Sequence, residues 1–165
     1  MDSPEHLKKI PLFQLCTYNE LTKIWNYMQK VSFNEKNTIF RQGDTGDALY
    51  VVREGEVEIL AASPDKDRIE NVVATLGPGA LFGEMALVEN EPRSATVRAK
   101  TDTKLFRLQQ DYFEKLMKQD HELAYKIYRP LTAILSQRLR ETTERLALAN
   151  KIIQLVSMKE KAERE

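Results

Sequence analysis

The most informative segment of this sequence reads Leu81-Phe82-Gly83-Glu84-Met85-Ala86-Leu87-Val88-Glu89-Asn90-Glu91-Pro92-Arg93-Ser94-Ala95-Thr96-Val97. Residues 83–87 are predicted to form one short helical turn, whose unpaired backbone amides make a site for an anion. Arg93 offers a planar fork of donors that suits a phosphate group. Glu84, beside the same site, can accept a hydrogen bond from a sugar hydroxyl. The alternative is a purely structural salt bridge between Glu84 and Arg93 across the loop.

The segment closely resembles the phosphate-binding cassette of the cyclic nucleotide-binding domain family, whose members include the cyclic AMP receptor protein and protein kinase A regulatory subunits. The family pattern is Phe-Gly-Glu, a small apolar run, a variable loop, then Arg-x-Ala and an apolar strand. It stands here at residues 82–87 and 92–97, without a gap. Residues 40–57 and 97–108 also look like the family, so that the resemblance covers roughly residues 10–150.

The resemblance implies a role for each matching position. It implies that Arg93 pairs with the cyclic phosphate, that Glu84 holds the ribose 2′-hydroxyl, and that Ser94 donates its hydroxyl to a phosphate oxygen. Backbone amides of Gly83, Glu84, Ala86 and Ala95 are candidates for the other polar contacts. The full set of expected ligand-binding residues is Phe82, Gly83, Glu84, Met85, Ala86, Arg93, Ser94, Ala95, Thr142 and Thr143.

The identity of the base depends on residues 138–144, which resemble the long helix of the receptor-protein branch. A Thr-Ser pair meets the adenine of cyclic AMP there, and Thr142 and Thr143 stand at the corresponding positions. The alternative is that such a threonine bonds only to its own helix backbone. Ser94 keeps a hydroxyl at the position where threonine favours guanine in the family. Cyclic AMP is therefore the expected ligand, cyclic GMP is the alternative, and no cofactor or metal is expected.

Hydrophobic periodicity divides the chain into three regions, the first of which is a helical segment over residues 1–30. Thr17 and Glu20 have the spacing of a capping box. Apolar residues follow at helical intervals: Leu21, Ile24, Trp25 and Met28.

Residues 31–108 are predicted to form a β roll of jelly-roll type. Short runs rich in β-branched or aromatic residues, such as 49–52, 57–59 and 72–74, alternate with turn signals that include Pro64-Asp65. Together with the flanking helices, this predicts an α+β fold: a jelly roll between N-terminal helices and a long C-terminal helix.

Residues 109–165 are predicted to be helical. Asp120 can cap a helix, and Pro130 suits a first helical turn, so that we place a boundary near Arg129 and a long helix from about residue 130. This helix carries a heptad stripe: Leu135, Leu139, Thr142, Leu146, Ala149, Ile153 and Val156. We expect the stripe to form a parallel homodimer, and the alternative is that it packs on its own domain.

Composition restricts the possible functions. Lysine plus arginine equals aspartate plus glutamate at 25 each, so no overall field attracts nucleic acid. No apolar run approaches the roughly 20 residues that span a bilayer, and we expect no membrane association. Asp2, Glu5 and His6 do not resemble a signal peptide. The single cysteine, Cys16, is expected to be a small buried apolar residue in a protein of the cytoplasm.

These observations predict a regulatory sensor module that couples ligand binding to rearrangement of its C-terminal helices. An enzyme is not expected, because His6 and His121 are the only histidines and both lie outside the predicted roll. About a dozen residues follow Ile153, too few for a helix-turn-helix. The effector is therefore expected outside this chain, either on another, unknown protein or in a longer protein of which this chain is a fragment. The competing hypothesis is a structural homodimerisation module whose roll holds no ligand.

Overall fold

In the part of the chain that the structure describes, the β roll consists of two antiparallel sheets of four strands each. The computed structural model describes residues 3–61, 71–88 and 91–162. In chain order its elements are 3₁₀ turns at Pro4–Lys9 and Pro11–Phe13, α1 (Tyr18–Trp25), β1 (Met28–Phe33), β2 (Thr38–Phe40), β3 (Ala48–Glu54), β4 (Val57–Ala61), β5 (Asn71–Leu76), β6 (Leu81–Phe82), a 3₁₀ turn at Glu84–Leu87, β7 (Thr96–Ala99), β8 (Thr103–Gln109), α2 (Gln110–Gln119) and α3 (His121–Ala162).

The strand order is β1-β8-β3-β6 in the first sheet and β2-β7-β4-β5 in the second. Strands from distant parts of the chain pair in both sheets, as in a jelly roll. The predicted α+β architecture, with helices before the roll and a long helix after it, is confirmed.

Strand β3 shows how the roll separates two apolar clusters. Successive side chains of a strand point to opposite faces. Tyr50 and Val52 therefore join the cluster between the sheets, and Leu49 and Val51 join the one beneath the helices. The cluster beneath the helices also contains buried residues of the N-terminal turns, α1, α2 and the first turns of α3: Leu12, Phe13, Ile24, Phe113, Leu123 and Ile127. The helices before and after the roll thus share one core against its first sheet.

The N-terminal helix begins as predicted but ends early. Thr17 caps α1, and the reciprocal capping box with Glu20 is present. Met28, expected on the same helix, instead begins β1 and pairs with Leu108 of β8. Strand pairing overrides the helical spacing there, and the β region starts three residues before the predicted boundary. The other predicted strand runs lie in β3, β4 and β5. The predicted turn at Pro64-Asp65 lies outside the described residues.

The predicted helix boundary near Arg129 is wrong. Helix α3 begins at His121, where the Asp120 carboxylate accepts a 3.0 Å hydrogen bond from the Leu123 amide, and it continues through Pro130. Proline removes one donor to the carbonyl four residues earlier. Burial of a continuous stripe across this point offsets that loss: Leu123, Ile127 and Leu131.

After Leu135, the large apolar side chains of the α3 stripe are more than half exposed in the single chain. Leu135 packs partly against the core. Leu139, Leu146, Ile153 and Val156 are 68%, 60%, 63% and 52% exposed, respectively. Across the described residues, no helix is both long and apolar enough to cross a membrane.

Candidate functional site

A cavity of about 750 Å³ lies between the segment 82–97, the second sheet and α3. Eight of the residues expected to bind a ligand line it: Phe82, Gly83, Glu84, Met85, Arg93, Ser94, Ala95 and Thr142. Thr143 is not among its described lining residues, and the side chain of Ala86 lies outside the described part of the chain. The far wall comes from β4, β5 and α3, and includes Ile59, Val73, Leu76, Glu141, Arg145 and Leu146.

Gly83 shapes the entrance of the short helical turn. The predicted turn is present as a 3₁₀ turn over Glu84–Leu87, with Gly83 at its N-cap in the left-handed region, at φ 71°. A Cβ atom on Gly83 would lie 2.8 Å from Nη1 of Arg93 and 3.2 Å from the carbonyl oxygen of Ala48. Both the backbone angle and the close approach therefore require glycine.

Arg93 is buried at the cavity wall with its guanidinium fixed on several sides. Nη1 donates to the Gly83 carbonyl at 3.2 Å, and Nη2 lies 3.1 Å from Oδ1 of Asp47. The guanidinium carbon stands 4.2 Å from the ring centre of Phe40. Within the described residues, its Nε has no hydrogen-bond partner. A positive, preorganised donor group thus faces the cavity.

The backbone of Arg93 is held by the loop between β2 and β3. The Arg93 amide donates to the Asp44 carbonyl at 2.8 Å, and the Gly43 amide donates to the Arg93 carbonyl at 2.9 Å. Gly43 has a φ of 86°, in the left-handed region that glycine adopts readily in turns.

Glu84 is buried at the start of the 3₁₀ turn, where α3 reaches it. Nη1 of Arg138 donates to Oε1 of Glu84, and Nη2 of Arg138 donates to the Leu81 carbonyl. Glu84 and Arg93 therefore pair with Arg138 and Asp47, respectively, and not with each other as in the salt-bridge alternative. One ion pair ties the cassette to the long helix.

The hydroxyl groups at the site make local contacts. Thr142 donates to the Arg138 carbonyl at 2.8 Å, and Thr143 donates to the Leu139 carbonyl at 2.9 Å. Both threonines thus bond to their own helix, as the alternative interpretation expected. Each oxygen still has lone pairs that can accept a hydrogen bond. Ser94 is exposed, with its hydroxyl 3.5 Å from the sulfur of Met85.

Sequence reasoning missed three of the charged groups around the cavity. Asp47 was not assigned to the site, and Arg138 appeared only as part of a resembling helix. Arg145 of α3 donates to the Val73 carbonyl of β5 at 2.8 Å and was not singled out. No spacing pattern reveals such pairs, because each joins residues far apart in the chain.

Residues 30–120 match the model of the cyclic nucleotide-binding domain family. This match spans more than half of the sequence, and the chain belongs to the cyclic nucleotide-binding domain family. The family assignment agrees with the resemblance that the cassette showed.

Named relatives come from bacteria and eukaryotes. The chain is 35% identical over 142 residues to the cyclic AMP receptor protein of Thermus thermophilus, covering 86% of this chain and 63% of the relative. It is 34% identical to a cAMP-dependent protein kinase regulatory subunit of Emericella nidulans, over 67% of this chain and 26% of the relative. A structure of the regulatory domain of Toxoplasma gondii PKA with cAMP is 27% identical, with a TM-score of 0.68, over 84% of this chain and 48% of that one. The chain thus spans less than two thirds of each of these proteins.

Proposed function

We propose that this protein is a regulatory module that binds cyclic AMP and transmits binding to its C-terminal helix. The observation that carries the proposal is that Arg93 and Glu84 line the same cavity, which α3 covers. A cyclic nucleotide presents an anionic phosphate and a neutral ribose hydroxyl on one rigid ring system. The cavity offers a cation for the first and a carboxylate acceptor for the second.

The phosphate is assigned to Arg93 and the backbone amides of the cassette. An arginine–phosphate contact is a charge-assisted hydrogen bond and is stronger than a neutral one. The amides of Gly83, Glu84, Ala86 and Ala95 would complete the anion site, and the exposed Ser94 hydroxyl can turn toward it.

The base is assigned to the face of α3 that lines the cavity, at Thr142, with Thr143 supplied by the second chain of a dimer. The names of two relatives support adenine as the base. The Thermus protein is a cyclic AMP receptor protein, and the Toxoplasma domain was solved with cAMP. Cyclic GMP is the second candidate, because Ser94 carries a hydroxyl beside the phosphate.

Transmission is assigned to the contact between Glu84 and Arg138. A ribose hydroxyl that donates to Glu84 shares this carboxylate with the helix, so that ligand and helix positions depend on each other. A ligand shifts such an equilibrium only by binding one arrangement more tightly. The exposed stripe of α3 is the surface on which we place a parallel homodimer, and we place the module in the cytoplasm.

The test is calorimetric titration of the purified protein with cyclic AMP and with cyclic GMP, after denaturing extraction of any nucleotide bound from the host. We expect a dissociation constant of micromolar or lower, which corresponds to about −8 kcal/mol. Arg93→Leu should abolish binding. Arg98→Leu is the matched control, because Arg98 pairs with Glu58 outside the cavity. No binding by the wild type, or unchanged affinity in a folded Arg93→Leu variant, would overturn the proposal.

A further inference from the structure

The Asp47 carboxylate joins two arginines, only one of which lines the cavity. Its Oδ1 lies 3.1 Å from Nη2 of Arg93, and its Oδ2 lies 2.6 Å from Nη2 of Arg107. Among the described residues, neither Asp47 nor Arg107 is part of the cavity lining. Two residues, Asp47 and Arg93, therefore stand between Arg107 and the proposed ligand.

Arg107 is well fixed in the middle of the first sheet. It lies on β8 opposite Gln29 of β1 and Tyr50 of β3. Its Nη1 donates to Oε1 of Gln29 at 2.9 Å, and its side chain is 18% exposed. Burial opposes its charge, but hydrogen bonding with Tyr50 and the nearby Asp47 carboxylate hold the pKa of Arg107 above its usual value. The group is a permanent cation.

The balance of charges explains why a second arginine matters. Arg93 and Asp47 alone form a neutral pair, in which the carboxylate repels an incoming phosphate. With Arg107 on the other carboxylate oxygen, the three groups together carry one net positive charge. Arg107 also holds Asp47 in place, so that the carboxylate can orient the buried Arg93 from behind.

We propose that Arg107 is a positioning residue for the anion site, which offsets the charge of Asp47 and thereby maintains the affinity of Arg93 for a ligand phosphate. This inference rests on the proposed function, because it assigns a further residue to the same site. It predicts that the effect of Arg107 passes through Asp47 and depends on charge.

The central test is Arg107→Gln, which keeps a hydrogen-bond donor on a shorter, neutral side chain and removes the charge. We expect about tenfold weaker binding of cyclic AMP at low salt and a smaller loss at high salt, because screening weakens the contribution of charge. Arg107→Lys should retain most of the affinity. Lys104→Gln is the matched control, since Lys104 lies on the same strand and pairs with Glu54 at the surface.

A double-mutant cycle separates positioning from general structural damage. In the Asp47→Asn background, Arg107→Gln should cause little further loss of affinity. Three results would overturn the inference. They are an equal loss of affinity in both backgrounds, an unchanged affinity in Arg107→Gln, and a loss in Arg107→Lys as large as that in Arg107→Gln.

Inorganic phosphate, titrated against the same variants, distinguishes this inference from the proposed function. If cyclic nucleotides do not bind but phosphate binds in an Arg107-dependent manner, the proposed function fails and the inference stands. If cyclic AMP binds and Arg107→Gln leaves its affinity unchanged, only the inference fails. If neither ligand binds the wild type, both fail.

Discussion

The Glu84 carboxylate is bound by the guanidinium of Arg138, which lies 54 residues later in the chain. Glu84 is buried in the cassette, and Arg138 is one turn before Thr142 on the long helix. The same guanidinium also binds the Leu81 carbonyl, so that the start of β6 and the turn that follows the strand both contact α3 through one side chain. The position of α3 over the cavity is thereby linked to the cassette.

The first prediction concerns this ion pair. Arg138→Leu removes the cation and leaves the buried Glu84 carboxylate without it, which should lower the free energy of unfolding by about 1–2 kcal/mol. It should also speed proteolytic cleavage within α3. Urea unfolding and limited trypsin digestion measure both effects. Arg140→Leu, on the exposed face, is the control, and equal behaviour of the two variants would contradict the role given to Arg138.

The second prediction concerns Gly83. Gly83→Ala places a methyl group 2.8 Å from Nη1 of Arg93 in a left-handed backbone conformation. We expect a loss of about 1–3 kcal/mol in stability and a lower ligand affinity, because the arginine must move. Thermal unfolding and calorimetry check both. Gly77→Ala is the control, since no atom lies within 4 Å of a Cβ there. Wild-type affinity in Gly83→Ala would show that Arg93 can shift without cost.

The third prediction concerns the base. The hydroxyls of Thr142 and Thr143 donate to their own helix, which leaves lone pairs that can accept from the 6-amino group of adenine. Guanine carries an acceptor there. Thr142→Ala and Thr143→Ala should therefore weaken cyclic AMP binding more than cyclic GMP binding, as measured by competition.

Ser157→Ala is the matched control for these two variants. The Ser157 hydroxyl makes the same type of bond, to the Ile153 carbonyl at 2.9 Å, and lies beyond the cavity. Equal losses for the two nucleotides would reject the adenine assignment.

The fourth prediction concerns the exposed stripe of α3. Ile153 is 63% exposed in the single chain, and burying such side chains against a second copy is favourable. We expect the wild type to sediment as a dimer and Ile153→Glu as a monomer. Gln154→Glu introduces the same charge next to the stripe and should remain dimeric. A monomeric wild type at micromolar concentration would contradict the dimer.

The fifth prediction concerns pH and Glu20. Burial acts to raise the pKa of Glu20, but hydrogen bonds from Thr17 and Lys126 outweigh it and hold the pKa below its usual value. The folded state therefore gains stability from this carboxylate at neutral pH and loses it as the pH falls through the lowered pKa.

Glu20→Gln should be less stable than the wild type by about 1–2 kcal/mol at neutral pH. The difference should shrink in acid, and urea unfolding at several pH values measures it. Glu122→Gln is the control, because Glu122 binds the same lysine from an exposed position. A difference that does not vary with pH would exclude the ionised carboxylate as its source.

The cassette and the roll could be predicted because their signals are contiguous. Gly83, Glu84 and Arg93 lie within a segment of eleven residues. Short apolar runs between turn residues indicate the strands of the roll. The partners of those residues could not be predicted in the same way. Asp47 and Arg138 reach the site only after the roll closes and α3 folds back, and nothing in their local sequence marks them.

Local rules failed where tertiary packing was stronger. Proline is favoured in the first turn of a helix, and a helix was therefore predicted to begin near Pro130. The buried apolar stripe on either side of Pro130 instead keeps α3 continuous. Met28 has helical spacing from Trp25, but its pairing with Leu108 places it in the sheet. In both cases the deciding contacts come from other elements.

The length of α3 has a mechanical consequence. From Arg138 to its end at Ala162 the helix continues for 24 residues, or about 36 Å at the rise of an α-helix. A tilt of about 10° at the Glu84 contact would displace the far end by about 6 Å, on the order of one helical turn. Under the proposed coupling, a change in the hydrogen bonding of Glu84 would thus become a movement large enough for another protein to detect.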